Sequence, residues 1–130
     1  MIAADTSTWI AFFTGDAGDD IEVLAAALRD RQLLMVPAVL TEILSDPKLS
    51  ADVAAMLSQL PLIEIEPGYW QRAGELRSKV LAQKRKGRLG DALIAQTCID
   101  RQIPLLTRDR DFRTFTEAAR LDLVIGPRTK

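Results

Sequence analysis

GDALIAQTCIDRQIPLLTRDRDF, residues Gly90 to Phe112, places one acid, Asp91, at the start of an apolar helix and two more, Asp109 and Asp111, just past a short apolar strand, Pro104 to Thr107. A helix start is electropositive and leaves N–H groups without intrahelical partners, so Asp91 alone reads as a helix-terminal acid. The order of helix, strand and then Asp-x-Asp is more specific. In open α/β sheets ligands bind in the loops at the carboxyl ends of strands, so these acids call for others at the ends of other strands.

Working outward, Met1 to Asp5 reads as a short buried strand that ends on an acid, and Thr6-Ser7 opens a short helix to Phe13. Ile21, Leu24, Ala25 and Leu28 recur at helical spacing, in a helix ending near Arg31. Leu33 to Val36 predicts a second strand, and Pro37 suits the first position of the next helix, which stops at Asp46-Pro47. That helix carries Glu42 among Val39, Leu40, Ile43 and Leu44. Glu42 has Ala38 and Asp46 four residues to either side, so no basic neighbour on its own helix explains it, although by itself it reads as solvated surface. Ser50 begins another helix and Leu62 to Ile65 predicts a third strand.

From Gly68 a longer helix is predicted to about Lys86, burying Trp70, Ala73, Leu76 and Val80. Its end is strongly basic, with Lys84, Arg85, Lys86 and Arg88 just before Asp91. Basic residues suit a helix C-terminus, so the plain reading of the run is a solvated helix end. Phe112 to Ala119 reads as a helix and Asp122 to Ile125 as a last strand. Strands alternating with helices, with no internal repeat or low-complexity linker, predict a single α/β domain over residues 1–130, its parallel sheet covered on both faces.

Composition narrows the chemistry. With 130 residues and 48% hydrophobic content, the chain can bury one sizeable core. No apolar run approaches the roughly 18 residues of a membrane span, and MIAADTS lacks a basic region before an apolar stretch, so a cytoplasmic protein with no membrane partner is expected. The one cysteine, Cys98, lies in an apolar helix and reads as core. Histidine is absent, which removes Ser/His triads, paired-histidine ribonuclease chemistry and histidine-ligated metals. Catalysis is left to carboxylates, hydroxyls, lysine and arginine.

Asp5 ends the first strand, Glu42 rides on the helix after the second, Asp91 opens the helix before the fourth and Asp109 follows that strand, so the four can share one edge of the sheet. Carboxylates about 4 Å apart repel by about 4 kcal/mol per pair at an effective dielectric of about 20, so such a cluster needs protons or cations. With only oxygen ligands on offer, Mg2+ or Mn2+ is the natural cation, and such ions suit phosphodiester hydrolysis without histidine.

Asp5-Thr6-Ser7 after the first strand, Pro37-x4-Glu42 after the second, Asp91-Ala92-Leu93-Ile94-Ala95, and Leu106-Thr107-Arg108-Asp109-x-Asp111-Phe112 together resemble the PIN-domain ribonucleases, in particular the VapC-like toxins of bacterial toxin–antitoxin pairs. Each motif is weak by itself; their order and spacing, over essentially the whole chain, carry the resemblance. It implies a three-layer α/β/α fold with a five-stranded parallel sheet in the order 3-2-1-4-5. It also implies a Mg2+- or Mn2+-dependent endoribonuclease in which Asp5, Glu42, Asp91 and Asp109 are the catalytic metal-binding acids. Asp111 stands as a less constant fifth acid acting through water, and Ser7 and Thr107 as polar supports. The implied partners are the RNA substrate, a second copy of the chain in a homodimer, and a small VapB-like antitoxin whose C-terminal segment fills the active-site groove.

Two positions depart from the pattern. Trp9 stands where relatives place a small or aliphatic residue, and Arg120 stands where a glycine would cap a helix in the left-handed conformation, at a cost of about 1 kcal/mol for arginine. The net charge of −1 does not oppose an RNA substrate: without the four proposed ligands, 14 acids remain of 18 against 17 basic residues, which leaves the rest at +3. Lys84, Arg85, Lys86 and Arg88 are the expected RNA contacts, with Arg108, Arg110 and Arg113 at the mouth of the site. The rivals are another metal-dependent phosphotransfer enzyme and a non-catalytic RNA- or partner-binding module. Ser7 stands where a haloacid-dehalogenase-type phosphatase wants a second Asp, and Ile65-Glu66-Pro67 where a receiver domain wants its phosphoacceptor.

Overall fold

Parallel strands must be joined by crossovers, and the sequence supplies a helix for each. The computed structural model describes residues 1–127, and all its strand pairs are parallel. β1 (Ile2–Ala4) leads through α1 (Thr6–Phe13) and α2 (Asp19–Arg29) to β2 (Leu33–Leu34). α3 (Pro37–Leu44), α4 (Ala51–Ser58), α5 (Tyr69–Ala82) and α6 (Leu89–Arg101) then lead to β3 (Leu105–Thr107). A 3-10 turn at Arg110–Phe112, α7 (Arg113–Ala118) and β4 (Leu123–Ile125) complete the described chain.

The sheet order is β2-β1-β3-β4, with Ile2 opposite Leu33, Ala3 opposite Leu105 and Leu105 opposite Leu123. The chain leaves β1 on one side, for β2, and returns on the other, for β3. That reversal opens a crevice at the carboxyl ends of β1 and β3, the standard ligand position in such sheets. Ala3, Ala4, Leu105 and Leu106 are buried between the helices, in one core with Trp9, Leu24, Val39, Ile94 and Phe112.

The expected third strand is reduced. Leu62 to Ile65 makes only an isolated parallel bridge, Met35 with Leu62, closed by Met35 N–H to Pro61 O and Ile63 N–H to Met35 O. The described sheet therefore has four strands rather than the expected five, and the segment meant to be the edge strand only touches the chain just past β2 through that one bridge. Leu62 is 50% exposed and Ile65 is also exposed, leaving Ile63 as the buried residue of the segment, and prolines at 61 and 67 bracket it.

Trp70 is not core: it is 67% exposed, while Tyr69 is 2% exposed. The buried stripe of α5 is Tyr69, Ala73, Leu76 and Val80, and Trp70 lies about 100° round the helix from it. α5 also ends at Ala82 rather than near Lys86, and Lys84 takes a left-handed conformation, φ 59°. The basic run therefore forms the connection between α5 and α6. Trp9 is accommodated wholly in the core, stacked on Phe13 with ring centroids 5.7 Å apart. At the end of α7, Ala119 is extended and Arg120 is not left-handed, so the strain expected of a left-handed cap at Arg120 does not arise, and the chain leaves the helix directly into extended backbone. No described helix is long and apolar enough to cross a membrane.

Candidate active site

The carboxyl end of β1 delivers Asp5, which is buried and serves as the N-cap position of α1 without a side-chain capping bond. Its carboxyl group faces hydroxyls instead. Ser7 Oγ and Thr107 Oγ1 both donate to Asp5 Oδ2 at 2.9 Å. Burial pushes the Asp5 carboxyl above its ordinary pKa, the two hydroxyls work against that rise, and the charge of Glu42 adds to it.

The adjacent strand end, β3, delivers Thr107 and Asp109. Thr107 Oγ1 accepts from Asp109 N–H at 3.0 Å while donating to Asp5, so one hydroxyl fixes both acids. Asp109 Oδ1 accepts from Asp111 N–H at 2.9 Å, which caps the 3-10 turn and holds one Asp109 oxygen in place. Glu42 lies exposed on α3, its Oε1 taking a 3.0 Å bond from Thr6 Oγ1 at the start of α1.

Asp91 occupies the first turn of α6 and is half-buried. Its pKa is raised from the ordinary 3.8 to about 7, first by burial, then by the charges of Asp5 and Asp109, with a smaller rise from Glu42; Arg88 acts in the opposite direction. Helix-start chemistry would hold the group ionised, so the shift has the wrong sign for an ordinary helix-terminal acid. Asp91 thus feels the charges of the other three proposed acids.

Among the described residues no three acidic side chains stand together at ligand distance. The donor set fits a hard divalent cation: every candidate donor is a carboxylate oxygen, from four separate segments, with hydroxyls as orienting partners. Asp111 lies at the margin, its Oδ2 3.9 Å from Lys86 Nζ.

The basic residues divide. Lys84, Arg85, Lys86 and Arg88 are exposed on the turn beside Asp91. Arg85 pairs with Glu117 on α7. Arg110 is partly buried on the 3-10 turn, and exposed Arg113 donates its Nε to Arg110 O at 3.3 Å. Arg108, expected at the mouth, is instead turned inward with its side chain 4% exposed, bound to Asp20 through Nε and Nη2 at 2.7 and 2.9 Å. A buried guanidinium needs a carboxylate, and Asp20 supplies one, so Arg108 cannot meet RNA there. Asp20 and Thr6 are the contributors that sequence reasoning missed. Asp20 sits among Asp16 and Asp19 at the start of α2, where an acid needs no further explanation.

Similarity to known proteins agrees with this architecture. Ribonuclease VapC5 of Mycobacterium tuberculosis is 25% identical over 126 residues, covering 92% of this chain and 91% of that protein. The fold resembles that of VapBC2 from Rickettsia felis bound to a DNA fragment from their promoter, with a TM-score of 0.72 and 21% identity over 96% of this chain and 98% of that one. It likewise resembles FitAcB from Neisseria gonorrhoeae, with a TM-score of 0.66 and 15% identity over 95% of this chain and 96% of that one. Residues 2–118 match the PIN domain, and with that match spanning nearly the whole molecule, the chain belongs to the PIN-domain family.

Proposed function

We propose that this protein is an endoribonuclease toxin, in which Asp5, Glu42, Asp91 and Asp109 hold Mg2+ or Mn2+ and direct the hydrolysis of an RNA phosphodiester bond in the cytoplasm. The observation that carries the reading is Asp91, pushed to about 7 by burial and by the charges of Asp5, Asp109 and Glu42. Such a shift supports a functional role, because burial beside like charges disfavours the ionised form that a purely helix-terminal acid would keep. The similarity to a ribonuclease supports RNA as the substrate.

A divalent cation in this site would offset the acids, polarise the phosphate and make an attacking water more acidic. The chain's own part is placement. Thr107 and Ser7 hold Asp5, the backbone of the 3-10 turn holds Asp109, and Thr6 holds Glu42. The exposed turn from Lys84 to Arg88 offers charge to flanking phosphates, contacts that position a strand without reading its sequence.

The fold also resembles that of VapBC-5 from Mycobacterium tuberculosis, a member of the VapBC family of toxin–antitoxin systems, which supports a VapB-like antitoxin as partner, with the toxin as a homodimer. Apolar grooves lie on both sides of Glu42, one offering Ile10, Phe13 and Leu49 and the other Ile65 and Trp70, giving an inhibitory segment apolar surface to cover beside the acids. Product analysis tests the chemistry. Attack by water leaves linear phosphomonoester ends and tolerates a 2′-deoxy sugar at the scissile position. A 2′,3′-cyclic phosphate, or no cleavage of any RNA, would refute the proposal.

A further inference from the structure

Arg108 and Asp20 form the most deeply buried ion pair among the described residues, with side chains 4% and 0% exposed. Arg108 Nη2 also donates to Ala17 O at 2.8 Å, and Thr8 Oγ1 donates to Asp20 Oδ2 at 3.3 Å. The seat is built for the pair. A Cβ on Gly18 would lie 2.6 Å from Asp20 Oδ1 and 2.7 Å from Arg108 Nη2, and one on Gly126 within 2.8 Å of three atoms of the Asp20 carboxyl. Burying two charges is costly, and apolar replacements of such pairs are often as stable or more so, so stability alone is a weak reason for this arrangement.

Its position suggests another reason. Arg108 lies between Thr107 and Asp109, and its backbone N–H donates to Ser7 Oγ at 3.0 Å. Ser7 then donates to Asp5 Oδ2, which also takes the Thr107 hydroxyl. The guanidinium fork thus anchors, from behind, the turn that holds Asp109 on one side and orients Asp5 through Ser7 on the other. We propose that the Arg108–Asp20 pair is a positioning device for the acidic site, fixing Asp5 and Asp109 through Ser7 and the backbone without touching substrate. The inference rests on the metal-site reading above.

Two variants separate positioning from mere stability. Arg108→Lys keeps the charge and loses the two-pronged geometry. Arg108→Met with Asp20→Asn removes both charges while keeping the shape that Gly18 and Gly126 close around. Mn2+ affinity by calorimetry, thermal midpoint in chelator, and hydrogen exchange at the amides of Arg108 and Asp109 are compared with the parent. The expected result is Mn2+ binding weakened about 10- to 100-fold, the cost typical of losing a group that orients a metal ligand. Exchange at those two amides should be faster, with exchange in α6 and the thermal midpoint near the parent's. Parental affinity and protection in either folded variant would overturn the proposal. So would a loss of affinity that only tracks loss of folded protein. If the parent itself binds no Mn2+, the metal-site reading fails, and exchange at the two amides still decides whether the pair fixes this turn.

Discussion

Thr107 Oγ1 donates to Asp5 Oδ2 at 2.9 Å, joining the carboxyl ends of β1 and β3 across 102 residues of sequence. The same oxygen accepts from Asp109 N–H, so a single hydroxyl sets the separation of two acids. Thr107→Val keeps the shape and deletes both bonds. It should lower stability by about 1 to 3 kcal/mol, since Asp109 N–H and the buried Asp5 carboxylate each lose a partner, and weaken Mn2+ binding by about tenfold or more. Chemical denaturation and calorimetry measure the two effects. An unchanged Mn2+ affinity would show that Asp5 is held by Ser7 alone.

The acids also make a pH prediction for the protein in chelator. Asp91 is raised from 3.8 to about 7 in the fold, so between those values the folded state keeps a proton that the unfolded chain releases. Its contribution to stability is full below about pH 4, declines as pH rises toward 7 and is flat above. Asp5, also raised, acts in the same direction. Thermal melts from about pH 4.5 to about pH 8 should show a falling midpoint for the parent and a flatter profile for Asp91→Asn. A parent midpoint that climbs over this range would mean that Asp91 is an ordinary ionised helix-terminal acid.

The placement of the candidate acids is legible in the sequence, because the signals are local. Asp5 after an apolar run, Asp91 at a helix start and Asp109 after Leu105 to Thr107 mark where strands and helices end, and the parallel topology does the rest. Side-chain direction is less accessible. Trp70 and Tyr69 are adjacent aromatics at a helix start, and only the packing of α5 against α6 selects Tyr69, whose hydroxyl donates to Leu93 O at 2.6 Å. Arg108 stands between surface-type residues, and its burial depends on Asp20, 88 positions away, with no periodicity to announce it. The shortened third strand is a related case: Leu62 to Ile65 has strand-like residues, but it lies at the sheet edge beyond a two-residue β2.

On the basic turn, Lys84 and Arg88 make no ion pair among the described residues, while Arg85 pairs with Glu117 and Lys86 with Asp111. Changing Lys84, Arg85 and Lys86 together to Ala should weaken RNA binding for all sequences. The slope of log affinity against log salt should flatten by up to about 2, from roughly 0.7 per single-strand phosphate contact. The cleavage position should not move. Filter binding over a salt series reads this directly, and an unchanged slope would reduce the run to a solvated connection.

A partner that fills the groove should present a basic side chain to the acids, since charge-assisted pairing there is strong and geometrically specific. The copurified complex should be inert toward RNA and become active when the partner is proteolysed. A complex as active as the free protein would remove this mode of inhibition.

The most direct test is the rate of RNA cleavage against Mg2+ concentration for the parent and Asp91→Asn, both confirmed folded by their thermal midpoints in chelator. The amide keeps the shape and removes the charge that would hold the cation, and it also relieves repulsion from Asp5 and Asp109. The parent should cleave with a saturating dependence on Mg2+ and be silent in chelator. Asp91→Asn should be inactive at every Mg2+ concentration with a midpoint in chelator equal to or above the parent's. Cleavage by the parent in chelator, or by Asp91→Asn at the parental rate, would contradict a carboxylate-held cation as the catalytic centre.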